Sequence, residues 1–299
     1  MSAIASAVEP RLKSVLLATD FSQTCQIPLR HALGIARHYG AKLYLAHVVS
    51  PSSFALAGPD ALNAATEAAR RDAHQLETQL VETGALAGLD HEFIVGQGTV
   101  WGVLNQIIRQ KGVDMIVSGA RGRRGLHKMV LGSVAEEIFR CADCIVFTVG
   151  PGSYQESRAN EILPNRTYLF ATNFDEASLC ALPYAISYAN QFGAKLVLLH
   201  VVPTTPPKPE SLLYRASLQR LEELTLNSTL KVRPEFVVEF CPVGPISEKI
   251  LETAQNLKVD VIILGLRRST HVEAASHKPW ATAYEVVCGA ECPVATVRG

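Results

Sequence analysis

The stretch with the clearest chemical promise in this 299-residue sequence is Gly119-Ala-Arg-Gly122-Arg-Arg-Gly-Leu-His-Lys-Met-Val-Leu-Gly132-Ser133-Val134. Glycines allow positive φ angles and leave no Cβ between backbone and ligand. Successive N–H groups in such a turn form a concavity that binds anions. A helical pattern opens at Gly132-Ser133-Val134, and a helix N-terminus adds unpaired N–H groups and the positive end of its dipole. Ser133 suits two tasks: capping that helix and donating its hydroxyl to a phosphate oxygen. Arg123, Arg124 and Lys128 are near enough in sequence to help neutralise phosphate, or are solvated. His127 in the same stretch is weak evidence on its own. The chemistry predicted is recognition of a phosphate-bearing ligand. The plainer alternative is a glycine-rich connection between a strand and a helix.

Other reactive residue types point elsewhere or nowhere. Cys141-Ala-Asp-Cys144 has the spacing of a zinc half-site or a redox pair, and Cys288 and Cys292 form a looser second pair. A zinc site needs four ligands in reach. The seven cysteines are odd in number and scattered, which reads as reduced thiols, with Cys144 and Cys292 as small buried residues starting the last strands. No nucleophile–base–acid set stands out, no carboxylate pair suggests a metal-dependent hydrolase, and the Gly-x-x-x-x-Gly-Lys-Ser/Thr loop is absent. No catalytic residue and no metal ligand is assigned.

The elements that must position the glycines alternate. Segment 14–19 is a continuous apolar run, as in a strand buried on both faces. Residues 22–39 have helical spacing and stop at Gly40. Strands follow at 43–49, 91–95, 114–118 and 144–149, with helices at 60–84, 100–110 and 132–140. Strands alternating with helices predict an α/β, Rossmann-like open sheet, mainly parallel, with helices on both faces. In such a sheet ligands bind beyond the carboxyl ends of the strands, where strand order reverses. Thr19-Asp20, His47-Val48 and Gly119 all fall there.

The whole arrangement occurs twice. Val15-Leu-Leu-Ala-Thr-Asp-Phe21 matches Tyr168-Leu-Phe-Ala-Thr-Asn-Phe174, and Gly40-Ala-Lys-Leu-Tyr-Leu-Ala-His-Val-Val49 matches Gly193-Ala-Lys-Leu-Val-Leu-Leu-His-Val-Val202 in the same register. Val113-Asp-Met-Ile-Val-Ser-Gly119 matches Val259-Asp-Val-Ile-Ile-Leu-Gly265. The second copy predicts strands at 167–172, 196–202, 236–240, 261–265 and 294–297, and helices at 177–192, 210–226, 246–257 and 281–288. The expected organisation is a disordered leader at 1–10, a first domain at 11–150, a polar linker at 151–164 with Pro151, Gly152 and Pro164, and a second domain at 165–299. His47 and His200 end equivalent strands, so a shared structural hydrogen bond is the simple expectation for both.

Composition narrows the function classes. Lys+Arg and Asp+Glu are equal at 28, a formal net charge of zero, which argues against a general nucleic-acid or membrane-surface binder. No apolar run approaches the roughly 20 residues needed to span a bilayer, and residues 1–10 lack the basic start of a signal peptide. A cytoplasmic protein is expected.

Gly119-x-x-Gly122, nine residues, then Gly132-Ser133 resembles the ATP-binding signature of the universal stress protein family. Ala18-Thr19-Asp20-Phe21-Ser22 and Cys144-Ile-Val-Phe-Thr-Val149 are similar to that family as well. The resemblance covers the first copy and, by duplication, most of the second: two tandem, five-stranded, nucleotide α-hydrolase-like domains. It implies that Ala18, Thr19 and Asp20 line the nucleoside pocket and that Val48 meets adenine through its backbone. It implies that Gly119, Arg121 and Gly122 wrap the ribose and first phosphates, and that Gly132, Ser133 and Val134 hold the later phosphates. Asp20 either accepts from a ribose hydroxyl or approaches a hydrated Mg2+. The family also implies dimers made by pairing the last strands, which a tandem chain can form internally; a further homodimer stays open.

The second copy breaks the pattern. Asn173 replaces Asp20, Arg268 stands at the second glycine, and Trp280 and Ala281 oppose Gly132 and Ser133. Pro279 still suits a helix start. One ATP per chain is expected. Arg267, Arg268, His271 and His277 leave room for another anion or are a solvated basic loop. Three function classes compete: a nucleotide-responsive signalling module with an unknown protein partner, a weak ATPase or ATP-using enzyme, and a structural stress protein with a vestigial site.

Overall fold

The structure, a computed structural model, describes residues 11–120, 131–150, 166–205, 211–267 and 281–299, with only the backbone of Gln23. The expected leader and linker lie outside the described residues. The chain divides into two compact units, Arg11–Asn160 and Glu161–Gly299.

The first unit runs β1 (Ser14–Ala18), α1 (Gln26–Tyr39), β2 (Lys42–Val49), α2 (Pro59–Glu82), β3 (His91–Gln97), α3 (Val100–Lys111), β4 (Met115–Gly119), α4 (Ser133–Cys141), β5 (Ile145–Val149). Its sheet order is β3-β2-β1-β4-β5. Every pairing is parallel, with Val15 opposite Leu43 and Met115, and Gly119 opposite Val149. Strand order therefore reverses between β1 and β4. Leu16, Tyr44, Ala46, Ile116 and Val146 pack with Leu104 and Ile107 of α3 and Ile138 of α4 on one face. Side chains alternate along a strand, so the fully buried Val15 and Leu17 point to the other face, where α1 and α2 cover the strands.

The second unit repeats this with β6 (Thr167–Ala171), α5 (Glu176–Leu179), α6 (Leu182–Phe192), β7 (Lys195–Val202), α7 (Leu212–Glu223), β8 (Glu235–Phe240), α8 (Ile246–Asn256), β9 (Val261–Leu266), α9 (Ala281–Gly289) and β10 (Val294–Arg298). Its order is β8-β7-β6-β9-β10, again parallel throughout.

Two expected helices differ from what forms, for one reason. Residues 22–39 make a 3-10 turn at Gln23–Cys25 before α1, and residues 177–192 break into α5 and α6. A proline ring clashes with the carbonyl four residues earlier and donates no N–H. Starting α1 at Gln26 and α6 at Leu182 places Pro28 and Pro183 in first turns, where neither fault matters. Both helices then stop on a left-handed glycine, Gly40 at φ 61° and Gly193 at φ 59°, a conformation that costs glycine little. Among the described residues no helix is long and apolar enough to cross a membrane.

Candidate functional site

The carboxyl end of β1 turns sharply. The Thr19 N–H donates to Ala46 O at 2.9 Å. The Thr19 hydroxyl accepts from the Phe21 N–H at 3.0 Å, and Phe21 sits at φ 54°. Asp20 Oδ1 accepts from the Ser22 N–H at 3.0 Å, the Ser22 hydroxyl at 2.5 Å and the Cys25 thiol at 3.1 Å. This is local side-chain bonding of the kind that competes with helix in polar runs, and it holds residues 22–25 in the turn that precedes the helix start set by Pro28. Cys25 was not singled out in the sequence. Burial first, and then the neighbouring Asp20 charge, push its thiol pKa up, so it serves as a donor here.

The histidine expectation holds at both strand ends. His47 Nδ1 meets Thr19 O at 2.8 Å and His200 Nδ1 meets Thr172 O at 2.8 Å. A carbonyl only accepts, so each ring carries its proton on Nδ1. Burial pulls the His200 pKa down.

Val48 lies where β2 outruns β1, whose ladder ends at Ala18 opposite Ala46. In a parallel strand the N–H and C=O of one residue point to the same side, and successive residues alternate. Ala46 O faces β1, and Val49 O accepts from Gly98 on the β3 side. The Val48 N–H and C=O consequently point past the end of β1, into the space beyond the switch point. Its side chain and that of Ala18 rest on the α3–α4 core.

On the other side of the switch, the chain leaves β4 at Ala120 and returns at Gly132. The Ala120 N–H donates to Val149 O at 2.8 Å, and the Gly132 N–H donates to Ala120 O at 2.8 Å. Those bonds fix both ends of the glycine segment. Arg121, Gly122, Arg123, Arg124, His127 and Lys128 lie outside the described residues. The N-cap of α4 is Gly132, with no side-chain cap, and Ser133 is the first helical residue; capping by Ser133, expected from sequence, does not occur. With the Gly132 N–H occupied, Ser133 and Val134 present the outward N–H groups of this helix end. Both residues are exposed. Glu136 in the same turn faces Arg140 at 3.5 Å. One residue short of the ends of β4 and β5, the opposed Ser118 and Thr148 hydroxyls are buried without a hydrogen-bond partner among the described residues; nothing in the sequence marked them.

The duplicate keeps the turn and discards the charge. Asn173 Oδ1 accepts from the Asp175 N–H at 3.2 Å, the bond that Asp20 makes with Ser22. Asp175 caps α5 through the Ser178 N–H at 2.7 Å and faces Arg267 at 3.6 Å. Burial raises the Asp175 pKa, but the Ser178 N–H, Asn173, the Ser178 hydroxyl and Arg267 together bring it below the usual carboxylate value. Gly265, the counterpart of Gly119, is pressed by α5. A Cβ there would stand 2.2 Å from Ala177 O and 2.4 Å from Ser178 O. Gly265 thus has a packing reason that needs no ligand. Ala281 opens α9 and is exposed; Arg268, His271, His277, Pro279 and Trp280 lie outside the described residues.

Cys144 and Cys292 immediately precede the last strands or their proline instead of starting them. Burial pushes each thiol to about 12, so both stay protonated at neutral pH, the form that neither ligates metal nor attacks. No cluster of three or more His, Cys, Asp or Glu able to hold a metal is present among the described residues.

A model of the universal stress protein family matches residues 11–150 and 164–298. Universal stress protein MJ0531 of Methanocaldococcus jannaschii is 26% identical over 138 residues, covering 46% of this chain and 81% of that protein. MJ0577 of the same organism is 26% identical over 162 residues, covering 46% and 94%. The crystal structure of a universal stress protein from Archaeoglobus fulgidus superposes with a TM-score of 0.65 at 17% identity, covering 95% of this chain and 98% of that one. At that identity the likeness speaks for the fold.

Proposed function

Because the chain belongs to the universal stress protein family in both of its halves, we propose that residues 11–150 bind one ATP and that residues 165–299 keep the fold without that site. ATP lies at the carboxyl ends of β1, β2 and β4. Ala18, Thr19 and Asp20 line the nucleoside pocket, and the outward Val48 peptide takes the adenine edge. Gly119, Arg121 and Gly122 hold ribose and the first phosphates. Ser133 and Val134 offer N–H groups to the later phosphates, with the Ser133 hydroxyl beside them, while Gly132 sets the start of α4. The protein then acts in the cytoplasm as a nucleotide-responsive module whose loop 121–131 is read by a protein partner.

One observation carries the reading. At the carboxyl end of one sheet, β2 leaves an outward peptide edge at Val48, and after β4 a helix begins whose Gly132 N–H is already bonded, leaving the Ser133 and Val134 N–H groups for an anion. The duplicate supports one site per chain, since its turn keeps Asn173 and its Arg267 is committed to Asp175.

Isothermal titration of the intact protein, stripped of carried-over nucleotide, tests this. One ATP per chain is expected, with affinity in the micromolar range and weakened at least about tenfold, roughly 1.4 kcal/mol, by Gly122→Val. A stoichiometry of two, or no heat with either protein, overturns it. Repeating the titration with Mg2+ present decides whether the ion belongs to the site. Single-turnover incubation separates binding module from enzyme: product formed within hours favours the enzyme.

A further inference from the structure

The second unit holds a cation where the first holds a cavity. Arg220 of α7 lies over the ring of Phe174, its Cζ 4.1 Å from the centroid. That ring packs on His200 at 4.4 Å between centroids. In the first unit Phe21 takes the place of Phe174. It has the same positive φ and the same stack on the strand-end histidine, His47, at 4.9 Å. Among the described residues no cation lies over Phe21. Instead Phe21 lines a cavity of about 300 Å3 between α1 and α2, with Ser22, Gln26, Asp72, Gln75 and Gln79 around it.

The two helices can be aligned by their ends. α2 stops at Glu82 and α7 at Glu223, and each buries a leucine two residues earlier, Leu80 and Leu221. Gln79 therefore stands where Arg220 stands. Asp72, Gln75, Leu76 and Gln79 follow i, i+3, i+4, i+7 spacing and share one face of α2, the face that lines the cavity. The first copy thus has the aromatic floor, lacks the arginine, and adds a carboxylate. Asp72 has no hydrogen-bond or ion-pair partner among the described residues.

We propose that this cavity is a binding site for a guanidinium group, the ligand that the duplicate carries within its own chain. The ring face of Phe21 attracts a planar cation. Asp72 accepts two parallel N–H bonds from the guanidinium fork. The amide oxygens of Gln26, Gln75 and Gln79 accept the remaining donors. The cavity walls include Thr19 and Cys25, and the proposal does not rest on ATP binding.

Agmatine, a guanidinium with no carboxylate, is the probe, titrated into nucleotide-free intact protein and followed by NMR or calorimetry. Saturable binding is expected, with perturbations confined to Phe21, the start of α1 and the α2 face. Asp72→Asn should weaken it at least about tenfold, the effect of losing one charged hydrogen-bond acceptor. Gln79→Arg should abolish it by installing the duplicate's own cation; this exposed helical position tolerates arginine. Urea, planar and uncharged, should not bind. An acetyl-Gly-Arg-Gly-amide peptide assigns the natural source: tighter binding than agmatine points to an arginine side chain of a partner, weaker binding to a small metabolite, and both support the site. The proposal is overturned if agmatine does not saturate, if both variants bind it like the unaltered chain, or if urea binds equally well. ATP titration of the same variants is a separate readout, so loss of one site is not mistaken for loss of the other.

Discussion

Asp20 and Asn173 occupy one position in two copies of one fold, and their comparison separates structure from ligand chemistry. Both side-chain oxygens accept the N–H two residues on, at 3.0 Å and 3.2 Å. Asparagine therefore satisfies the turn, and the negative charge of Asp20 is surplus to it. Replacing Asp20 with Asn should leave the urea midpoint within roughly 0.5 kcal/mol of its starting stability, as for substitutions that spare packing and capping. It should weaken ATP, or its Mg2+ dependence, by about tenfold or more. Equilibrium unfolding and calorimetry on the same variant check both halves of that statement. A loss of stability without loss of affinity would make Asp20 a turn residue alone.

Elements carry constraints that single residues hide. Asp114 in the Val-Asp step before β4 uses Oδ2 to accept from the Lys13 and Ser14 N–H groups at 2.7 and 3.0 Å, and Asp260 accepts from the Thr167 N–H at 2.8 Å. The Val-Asp pair that marks the repeat is thus a clamp between strands one and four at the amino end of each sheet. The opposite end has its own constraint in Gly265. A methyl group 2.2 Å from a backbone carbonyl cannot be absorbed by a side-chain rotation. Gly265→Ala should therefore displace α5 and cost about 1–3 kcal/mol, the range for overpacking. Urea unfolding followed by hydrogen exchange should place the loss in α5 and β9. An unchanged midpoint would mean that α5 yields without cost.

For the whole molecule the asymmetry between halves becomes measurable. A ligand that binds only the folded state stabilises it by about 2.7 kcal/mol at a hundredfold excess over Kd. If ATP occupies only the first unit, hydrogen exchange should slow across Arg11–Asn160 and stay unchanged across Glu161–Gly299. Protection in both units would require a second nucleotide, and with it a different role for Asn173. Guanidinium binding, in contrast, should slow exchange at the start of α1 and along α2.

Much of this protein was legible in one dimension. Apolar runs in alternation with amphipathic segments determined a parallel α/β sheet, since a strand covered on both faces has no polar side to show. The internal repeat determined two copies and their register, and the Gly119–Ser133 spacing singled out one end of one sheet. The Nδ1 bonds of His47 and His200 followed from their equivalent places. The helix starts at Gln26 and Leu182 also had a signal in the sequence, since Pro28 and Pro183 act within their own first turns. Two matters were decided only in three dimensions, because each depends on atoms distant in sequence. The Gly132 N–H, taken by Ala120, removed one donor from the start of α4. The other is the cavity over Phe21. A glutamine in α2 and an arginine in α7 look like ordinary surface positions until the fold brings Gln79 beside Phe21 and Arg220 over Phe174.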